Sequence, residues 1–288
     1  MPRTALFIDL VSNNPASNMV HVQTSAIELA NRDNKKLKGI VFEDFVNRKY
    51  LFSTVTSNTV LPFVILEDYL PKVLLPIEIV DNAPRMLTSE ELIDLGHDSI
   101  ASWFEKIDNY NVLTQSIYQK LNLRGKITQQ SYINKEFLVH CGAGGSIPCA
   151  AIQRNHKDSP YPFIADQTTY VYGTDSEEEA LYLIGMINST YVNEIIRPFQ
   201  ARGLFGERHI HKLIYKVIPK FNQANPLHQQ IVDLSRNLEN NAKQLINLET
   251  TFHNFSRPIR NRRNSLRAAL NVENITNLNS AVESALNE

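Results

Sequence analysis

The sequence is poor in cysteine, tryptophan and long apolar runs. Its 288 residues include two cysteines, Cys141 and Cys149, and one tryptophan, Trp103. Two cysteines are too few for a disulfide scaffold or a paired zinc site, so we expect small buried side chains in a reducing compartment. No apolar run is long enough to span a bilayer, and the opening residues lack the apolar core of a signal peptide. We therefore expect a cytoplasmic protein without a membrane partner.

Charge is nearly balanced overall but unevenly distributed. The chain has 29 Lys and Arg against 30 Asp and Glu, and 43% of its residues are hydrophobic, which argues against disorder throughout. Residues 197–267 contain 13 Lys and Arg against 4 Asp and Glu. A basic segment of this kind is typical of phosphate binding, because each neutralised phosphate releases counterions. The alternative is a solvated helix face.

The pattern of short and long periodic segments predicts an α+β fold. Residues 1–84 contain several short runs rich in β-branched and aromatic residues, separated by Pro, Asn and Lys. Nothing in these runs indicates chemistry. Helical patterns follow, with Trp103 as an expected core residue. We predict a β-rich N-terminal subdomain at 1–87, a mixed α/β domain at 88–221 and a helical C-terminal segment at 222–288.

Four helix starts can be read from capping residues. Thr88 and Glu91 form a capping-box pattern before a helix that Gly96 ends, and Asp98 begins a longer helix. Ser176 and Glu179 repeat the capping box before a helix that Pro198 stops. Asn225 and Pro226 begin the last long helix. Apolar residues at roughly heptad spacing predict that this helix packs on a partner helix: Ile231, Leu234, Leu238, Leu245 and Leu248.

The stretch Phe199–Lys212, FQARGLFGERHIHK, is the main candidate for binding an anionic polymer. Its glycines allow backbone geometries that other residues resist. Arg202 and Arg208 have the fork shape that matches phosphate oxygens or a guanine edge. His209 and His211 are half of a possible zinc site, but no third ligand lies nearby in the sequence. We expect them instead to donate hydrogen bonds to nucleic acid or to support the loop.

Two further segments carry competing interpretations. Gly142, Gly144 and Gly145 follow an apolar run, as in a Rossmann nucleotide loop, but Pro148 and a β-like segment follow where a helix should begin. We expect a hairpin or bulge there. The run RPIRNRRNSLR holds five arginines and no acid, which favours phosphate contact over a solvated basic turn. The arginines are Arg257, Arg260, Arg262, Arg263 and Arg267.

From about Trp103 onward the chain resembles the C-terminal part of bacterial N6-adenine DNA methyltransferases and fused type II restriction–modification enzymes. Ordered segments carry the resemblance: LRGKITQQ (123–130), ADQTTYVYG (165–173), EEALYLIGMINS (178–189) and RPFQARGLFGERHIHK (197–212). The segment VIPKFNQANPLHQQIVDLS (217–235) is similar in plan to type I specificity subunits, where an apolar strand leads into a long helix.

This resemblance implies a target-recognition region that reads double-stranded DNA while a methyltransferase catalytic domain or subunit flips and methylates an adenine. Candidate DNA-binding residues are Lys126, Gln130, Gln200, Arg202, Arg208, His209, His211, Lys212, Arg260, Arg262 and Arg263. Either Gln130 or Gln200 is a candidate partner for adenine. We predict no catalytic residue and no metal ligand in this chain.

The sequence departs from such methyltransferases at the catalytic motif. They carry Asn/Asp-Pro-Pro-Tyr/Phe, whereas this chain has Asn14-Pro15-Ala16 and Asn225-Pro226-Leu227. S-adenosylmethionine is therefore assigned to the catalytic partner, and the chain is interpreted as a truncated gene product, a split subunit or an isolated domain. Two alternatives stay open. One is a divergent complete methyltransferase that uses CGAGG as its cofactor loop, and the other is a protein-interaction subunit that docks a catalytic partner through the 226–248 helix.

Overall fold

The computed structural model describes residues 6–14, 16–27, 41–110, 116–130, 132–142, 148–155, 159, 161–166, 168–199, 201–203, 206–208 and 216–288. The chain forms two compact units, each assembled from separate stretches. Unit 1 comprises Met1–Thr54, Pro71–Asn134 and Lys157–Ala165, and unit 2 comprises Val55–Leu70, Lys135–His156 and Asp166–Glu288. This division cuts across the predicted boundaries after residues 87 and 221.

The elements confirm the predicted α+β class. The strands are β1 (Phe7–Ser12), β2 (Met19–Thr24), β3 (Glu43–Asn47), β4 (Leu51–Ser53), β5 (Val60–Leu61), β6 (Val64–Ile65), β7 (Lys72–Leu74), β8 (Ile77–Val80), β9 (Ala83–Met86), β10 (Phe137–Gly142), β11 (Cys149–Arg154), β12 (Thr169–Thr174), β13 (Ala201–Gly203) and β14 (Gly206–Arg208). The α-helices are α1 (Ser89–Asp94), α2 (Asp98–Tyr110), α3 (Ile117–Leu121), α4 (Glu177–Asn188), α5 (Thr190–Ile196), α6 (Pro226–Leu248), α7 (Ile259–Ala269) and α8 (Val272–Leu286).

Unit 1 is built on an antiparallel sheet with the strand order β3-β2-β1-β7-β4. Successive side chains point to opposite faces of this sheet, so that Val20 and Val22 are buried while Met19 is exposed. Helix α2 contributes Trp103 and Phe104 to the core of this unit, which confirms Trp103 as a core residue. Thr88 and Glu91 form the predicted capping box of α1, and Gly96 follows that helix with φ +74°.

Unit 2 packs helices against a three-stranded antiparallel sheet with the order β11-β10-β12. Helices α4 and α6 approach closely, because a Cβ atom at Gly185 would clash with Ser235 Oγ. The predicted helix from Ser176 to Pro198 is interrupted at Ser189. The Ser189 hydroxyl donates to Met186 O and accepts from Val192 N–H, which ends α4 and begins α5.

Helix α6 begins as predicted, with Asn225 as its N-cap and Pro226 in its first turn. Its buried face differs from the heptad prediction, since Ser235, Glu239 and Ala242 are buried whereas Leu248 is 81% exposed. This buried face belongs to the core of unit 2 itself. Helix α8 is likewise packed through Leu278, Ala281, Val282 and Ala285.

Candidate functional site

The stretch that the sequence singles out contains a short β-hairpin. Strands β13 and β14 pair in antiparallel register, with Gly203 opposite Gly206, Arg202 opposite Glu207 and Ala201 opposite Arg208. The backbone of these six residues is described, and their side chains are not. Arg202 and Arg208 therefore lie on one small structural element, and their assignment as DNA contacts stays a prediction.

Several predicted contacts of this stretch lie outside the described residues. They are Gln200, His209, His211 and Lys212. Their assignment as DNA-binding residues stays a prediction, as does the alternative that the two histidines contribute to a metal site. Among the described residues, no group of three His, Cys, Asp or Glu side chains is placed to hold a metal ion.

Arg262 is a buried structural residue of α7. It is 1% exposed, and its Nη1 and Nη2 atoms donate to Phe252 O at 3.2 Å and Asn58 O at 2.9 Å. Its Cζ atom also lies 4.5 Å from the centroid of the Phe255 ring. Burial, followed by the charges of neighbouring arginines, lowers the pKa of Arg262 to about 10, so the guanidinium stays protonated near neutral pH.

Arg263 is equally buried and binds a different part of the same backbone turn. Its Nε atom donates to Val60 O at 3.1 Å, and Nη2 donates to Ser57 O at 2.7 Å and Ser57 Oγ at 3.1 Å. A Cβ atom at Gly142 would clash with this Nη2 atom. The absence of a side chain at Gly142 therefore makes room for the guanidinium.

The interpretation of Arg262 and Arg263 as DNA contacts is corrected by this geometry. The Nη donors of Arg262 and the Nε and Nη2 donors of Arg263 bind carbonyl groups of the chain, and burial removes both guanidinium groups from a phosphate backbone. Arg267 behaves similarly, because its Nη2 atom donates to Pro148 O at 2.5 Å. Arg260 is exposed on the same helix and stays a predicted contact. The basic excess of residues 197–267 is therefore partly an interior feature rather than a single surface.

Of the two candidate DNA contacts Gln130 and Lys126, the first is buried and the second is exposed. Gln130 is buried, its Nε2 atom donates to Lys126 O and Ala165 O, and its Oε1 atom accepts from Ala165 N–H at 2.9 Å. This side chain joins two backbone segments of unit 1, so its assignment as an adenine contact is corrected. Lys126 is exposed and its assignment stays a prediction.

The CGAGG segment joins two antiparallel strands. Strand β10 ends at Gly142, β11 begins at Cys149, and these two residues are paired with each other. A Rossmann nucleotide loop leads from a strand into a helix and then to a parallel strand. The predicted hairpin is confirmed, and the alternative of a Rossmann-type cofactor loop at this position is contradicted by the strand pairing.

Both cysteines are free and buried in unit 2. Burial, with a smaller contribution from Cys149, raises the pKa of the Cys141 thiol to about 12. Cys141 also lines a cavity of about 440 Å³ between β12, α4 and residues 218–221, whose other walls include Leu183 and Phe221. A protonated thiol in an apolar wall behaves as a small hydrophobic group, as predicted.

A second arginine cluster ties the sheet of unit 2 to its helices. Arg154 Nη1 and Nη2 donate to Glu239 at 2.5 and 3.0 Å, and Nη2 also donates to Glu177 at 2.7 Å. Lys243 Nζ lies 2.9 Å from the same Glu239 carboxylate. Glu239 is buried, so its charge depends on these cations.

The comparison with solved structures is informative about the fold. The chain is similar to the type IIL restriction–modification enzyme MmeI, whose structure was determined in complex with DNA, with a TM-score of 0.52 and 13% sequence identity. The similarity covers 82% of this chain and 28% of that enzyme. The two proteins share a fold.

The match to MmeI spans little more than a quarter of that enzyme's length, so the enzyme's activity as a whole is not transferred with the fold. No family model matches the chain, and no curated protein matches it in sequence. None of the helices in the described part of the chain is long and apolar enough to cross a membrane.

Proposed function

We propose that this chain is a sequence-specific DNA-binding module, the target-recognition part of an adenine-specific DNA methyltransferase or restriction–modification enzyme. The observation that carries the proposal is the shared fold, over 82% of the chain, with part of a restriction–modification enzyme whose structure contains DNA. The ordered sequence resemblance between residues 103 and 235 supports the same class independently of that fold.

In this proposal the β13–β14 hairpin presents the DNA-reading residues. Arg202 and Arg208 lie on adjacent strands, and the hairpin is narrow enough to enter a major groove, which admits a two-stranded β-ribbon. Gln200, His209, His211 and Lys212 flank it in the sequence. Arg260 and Lys126 are exposed and would add phosphate contacts, which position a protein on the duplex without reading its sequence.

Methyl transfer and S-adenosylmethionine binding are assigned to a separate catalytic domain or subunit. The chain lacks the Asn/Asp-Pro-Pro-Tyr/Phe motif of adenine methyltransferases. The alternative of an interaction subunit that docks through the 226–248 helix loses support, because the apolar face of α6 is buried within unit 2.

The test is selection of bound duplexes from a randomised DNA library by the full chain, followed by affinity measurement on the selected sequence. Replacing Arg208 with Ala should weaken binding of that sequence by about 1–3 kcal/mol if the arginine reads a base. Arg236→Ala is the matched control, because it removes the same charge from an exposed arginine that already pairs with Asp233 at 3.2 Å. Recovery of no preferred sequence, or equal losses in the two variants, would contradict the proposal.

A further inference from the structure

Unit 1 contains an open groove of about 610 Å³ with both polar and apolar lining residues, and none of the predicted DNA contacts lines it. Its lining includes two consecutive cations, Arg48 and Lys49, and three uncharged polar residues, Asn18, Asn47 and Ser159. Arg48 and Lys49 lie in the 3₁₀ turn that directly follows β3. The sequence of residues 1–84 indicates no chemistry in this part of the chain.

The cations of the groove are not neutralised by carboxylates. Arg48 Nη2 donates to the carbonyl oxygens of Asn14 at 2.9 Å and Ser17 at 3.2 Å, and Nη1 donates to Tyr161 Oη at 3.2 Å. The Lys49 ammonium is 4.9 Å from the Tyr50 ring centroid. Within the described part of the chain, neither cation forms an ion pair.

The acidic residue in the groove lining is engaged elsewhere. Glu78 Oε1 accepts a hydrogen bond from Arg85 Nε at 2.7 Å, and Arg85 Nη1 also binds Glu91 at 2.6 Å. Even with Glu78 counted at full charge, the lining has two cations and one carboxylate. The groove therefore carries a net positive charge. Low-dielectric walls concentrate such a field and attract anions.

A third cation, Lys72, lies beside Tyr161, whose hydroxyl accepts from Arg48. The Lys72 ammonium is 5.1 Å from the Tyr161 ring centroid, and Arg48 Cζ is 5.9 Å from it. Lys72 Nζ donates to Ser53 Oγ at 2.9 Å, and burial lowers the pKa of Lys72 below its usual value. Lys72 is not among the residues that line the groove, so it adds positive charge near the site without being one of its contacts.

The neutral residues supply hydrogen-bond donors for an oxyanion. Asn47 Oδ1 accepts from Lys49 N–H at 3.1 Å, which fixes the carboxamide and leaves its NH₂ group as a donor. Asn18 adds a second carboxamide, whereas the Ser159 hydroxyl already donates to Tyr161 O at 3.1 Å. Cations combined with amide and hydroxyl donors are the usual partners of DNA phosphate oxygens.

We propose that this groove binds phosphate groups of the DNA backbone, which gives unit 1 its own contact with the duplex. The inference rests on the proposed DNA-binding function and adds a sequence-independent site to the hairpin. Phosphate contacts raise affinity for every sequence to a similar extent and increase the salt dependence of binding. The groove thus contributes affinity, and the hairpin contributes sequence discrimination.

The test compares the salt dependence of duplex binding for the unmodified chain, Lys49→Ala and Lys106→Ala. Lys106 is a matched control from the same unit, because it is exposed and lies 3.9 Å from Asp44. We expect Lys49→Ala to lower the affinity for selected and unrelated duplexes by the same factor, roughly threefold to tenfold at low salt. The slope of log K against log salt should fall in magnitude by about 0.9, because the variant neutralises one phosphate fewer. Lys106→Ala should leave the slope unchanged, and Lys49→Arg should restore it.

Equal slopes for Lys49→Ala and the unmodified chain, with Arg208→Ala still weakening binding, would overturn the groove alone. Failure of the unmodified chain to bind any duplex at low salt would overturn the proposed function, and the groove proposal with it. Lysine footprinting provides a measurement that needs no substitution. Reductive methylation followed by mass spectrometry should show that DNA protects Lys49 and leaves Lys106 reactive. Equal methylation of Lys49 with and without bound DNA would contradict the groove.

Discussion

The two arginine clusters of unit 2 stabilise the same unit in different ways. Arg154 binds the carboxylates of Glu239 and Glu177, and these hydrogen bonds raise its pKa above the usual value. Arg262 and Arg263 bind backbone carbonyls, and burial lowers the pKa of Arg262 to about 10. A carboxylate supplies a full counter-charge, whereas a carbonyl supplies only a dipole. The Arg154 cluster joins side chains of a sheet and two helices. The pair Arg262 and Arg263 holds the backbone turn 57–60 against α7.

The largest expected effect is the loss of a carbonyl-bound arginine. Arg263→Ala should lower the free energy of unfolding by about 3 kcal/mol or more, because it removes the guanidinium donors from Ser57 O and Val60 O and opens a cavity. Urea unfolding at neutral pH measures the change. Arg260→Ala on the same helix is the control, and we expect less than about 0.5 kcal/mol because Arg260 is exposed. Equal changes in the two variants would contradict the structural role of Arg263.

The contribution of the Arg154 cluster to the free energy of unfolding should depend on pH. Burial raises the pKa of Glu239, but the hydrogen bonds from Arg154 and Lys243 outweigh this, and the net pKa lies below the usual value of 4.5. Glu239→Gln should cost about 2 kcal/mol at pH 7. A depressed pKa stabilises the fold above the unfolded-state pKa, and this stability is lost as pH falls through the folded-state pKa. The difference between the two proteins in urea unfolding should therefore shrink as the pH falls below about 5. A difference that is independent of pH would contradict the charge pairing.

The smallest expected effect comes from Gly142→Ala, which fills the space occupied by the Arg263 guanidinium. Gly142→Ala places a methyl group against Nη2, and three hydrogen bonds prevent the guanidinium from moving aside. We expect a loss of about 1–2 kcal/mol in the free energy of unfolding. In an Arg263→Ala background the same substitution should cost clearly less, because the atom it meets is gone. Additive losses in the double variant would show that Gly142 is needed for another reason.

Local signals in the sequence predicted the start and end of several elements. The capping box at Thr88 and Glu91, the N-cap at Asn225 and the hairpin at CGAGG depend on residues within a few positions of each other, and the structure confirms them. The capping box at Ser176 is half confirmed. Ser176 Oγ accepts from Glu179 N–H, while the Glu179 carboxylate binds the Tyr172 hydroxyl and Thr174.

Long-range packing explains the predictions that the structure corrects. RPIRNRRNSLR is rich in arginine and has no acid, and nothing within it indicates that carbonyl groups about 200 residues earlier in the chain would accept its hydrogen bonds. The prediction that α6 packs on a partner helix is confirmed, since α6 packs against α4 and α8, but the heptad pattern missed Glu239, which is buried by a partner in the sheet, and Leu248, which is exposed. Gln130 likewise binds Ala165, 35 positions away. Arg48 and Lys49 were not among the predicted DNA contacts. Two adjacent cations between Asn47 and Tyr50 are the sequence pattern that could have indicated the proposed phosphate site.

Residues 55–70 bear on how this protein can be recombined with its relatives. The flanking strands β4 and β7 pair with each other in unit 1, yet residues 55–70 between them fold in unit 2. The chain crosses between the units five times, so no single breakpoint in the gene separates them. In a chimaera that takes only residues 166–288 from another protein, the segment equivalent to α7 would come from that protein. Its side chains would face the turn 57–60 of this chain, to which they are not matched. Moving unit 2 intact therefore requires transferring residues 55–70 and 135–156 together with residues 166–288.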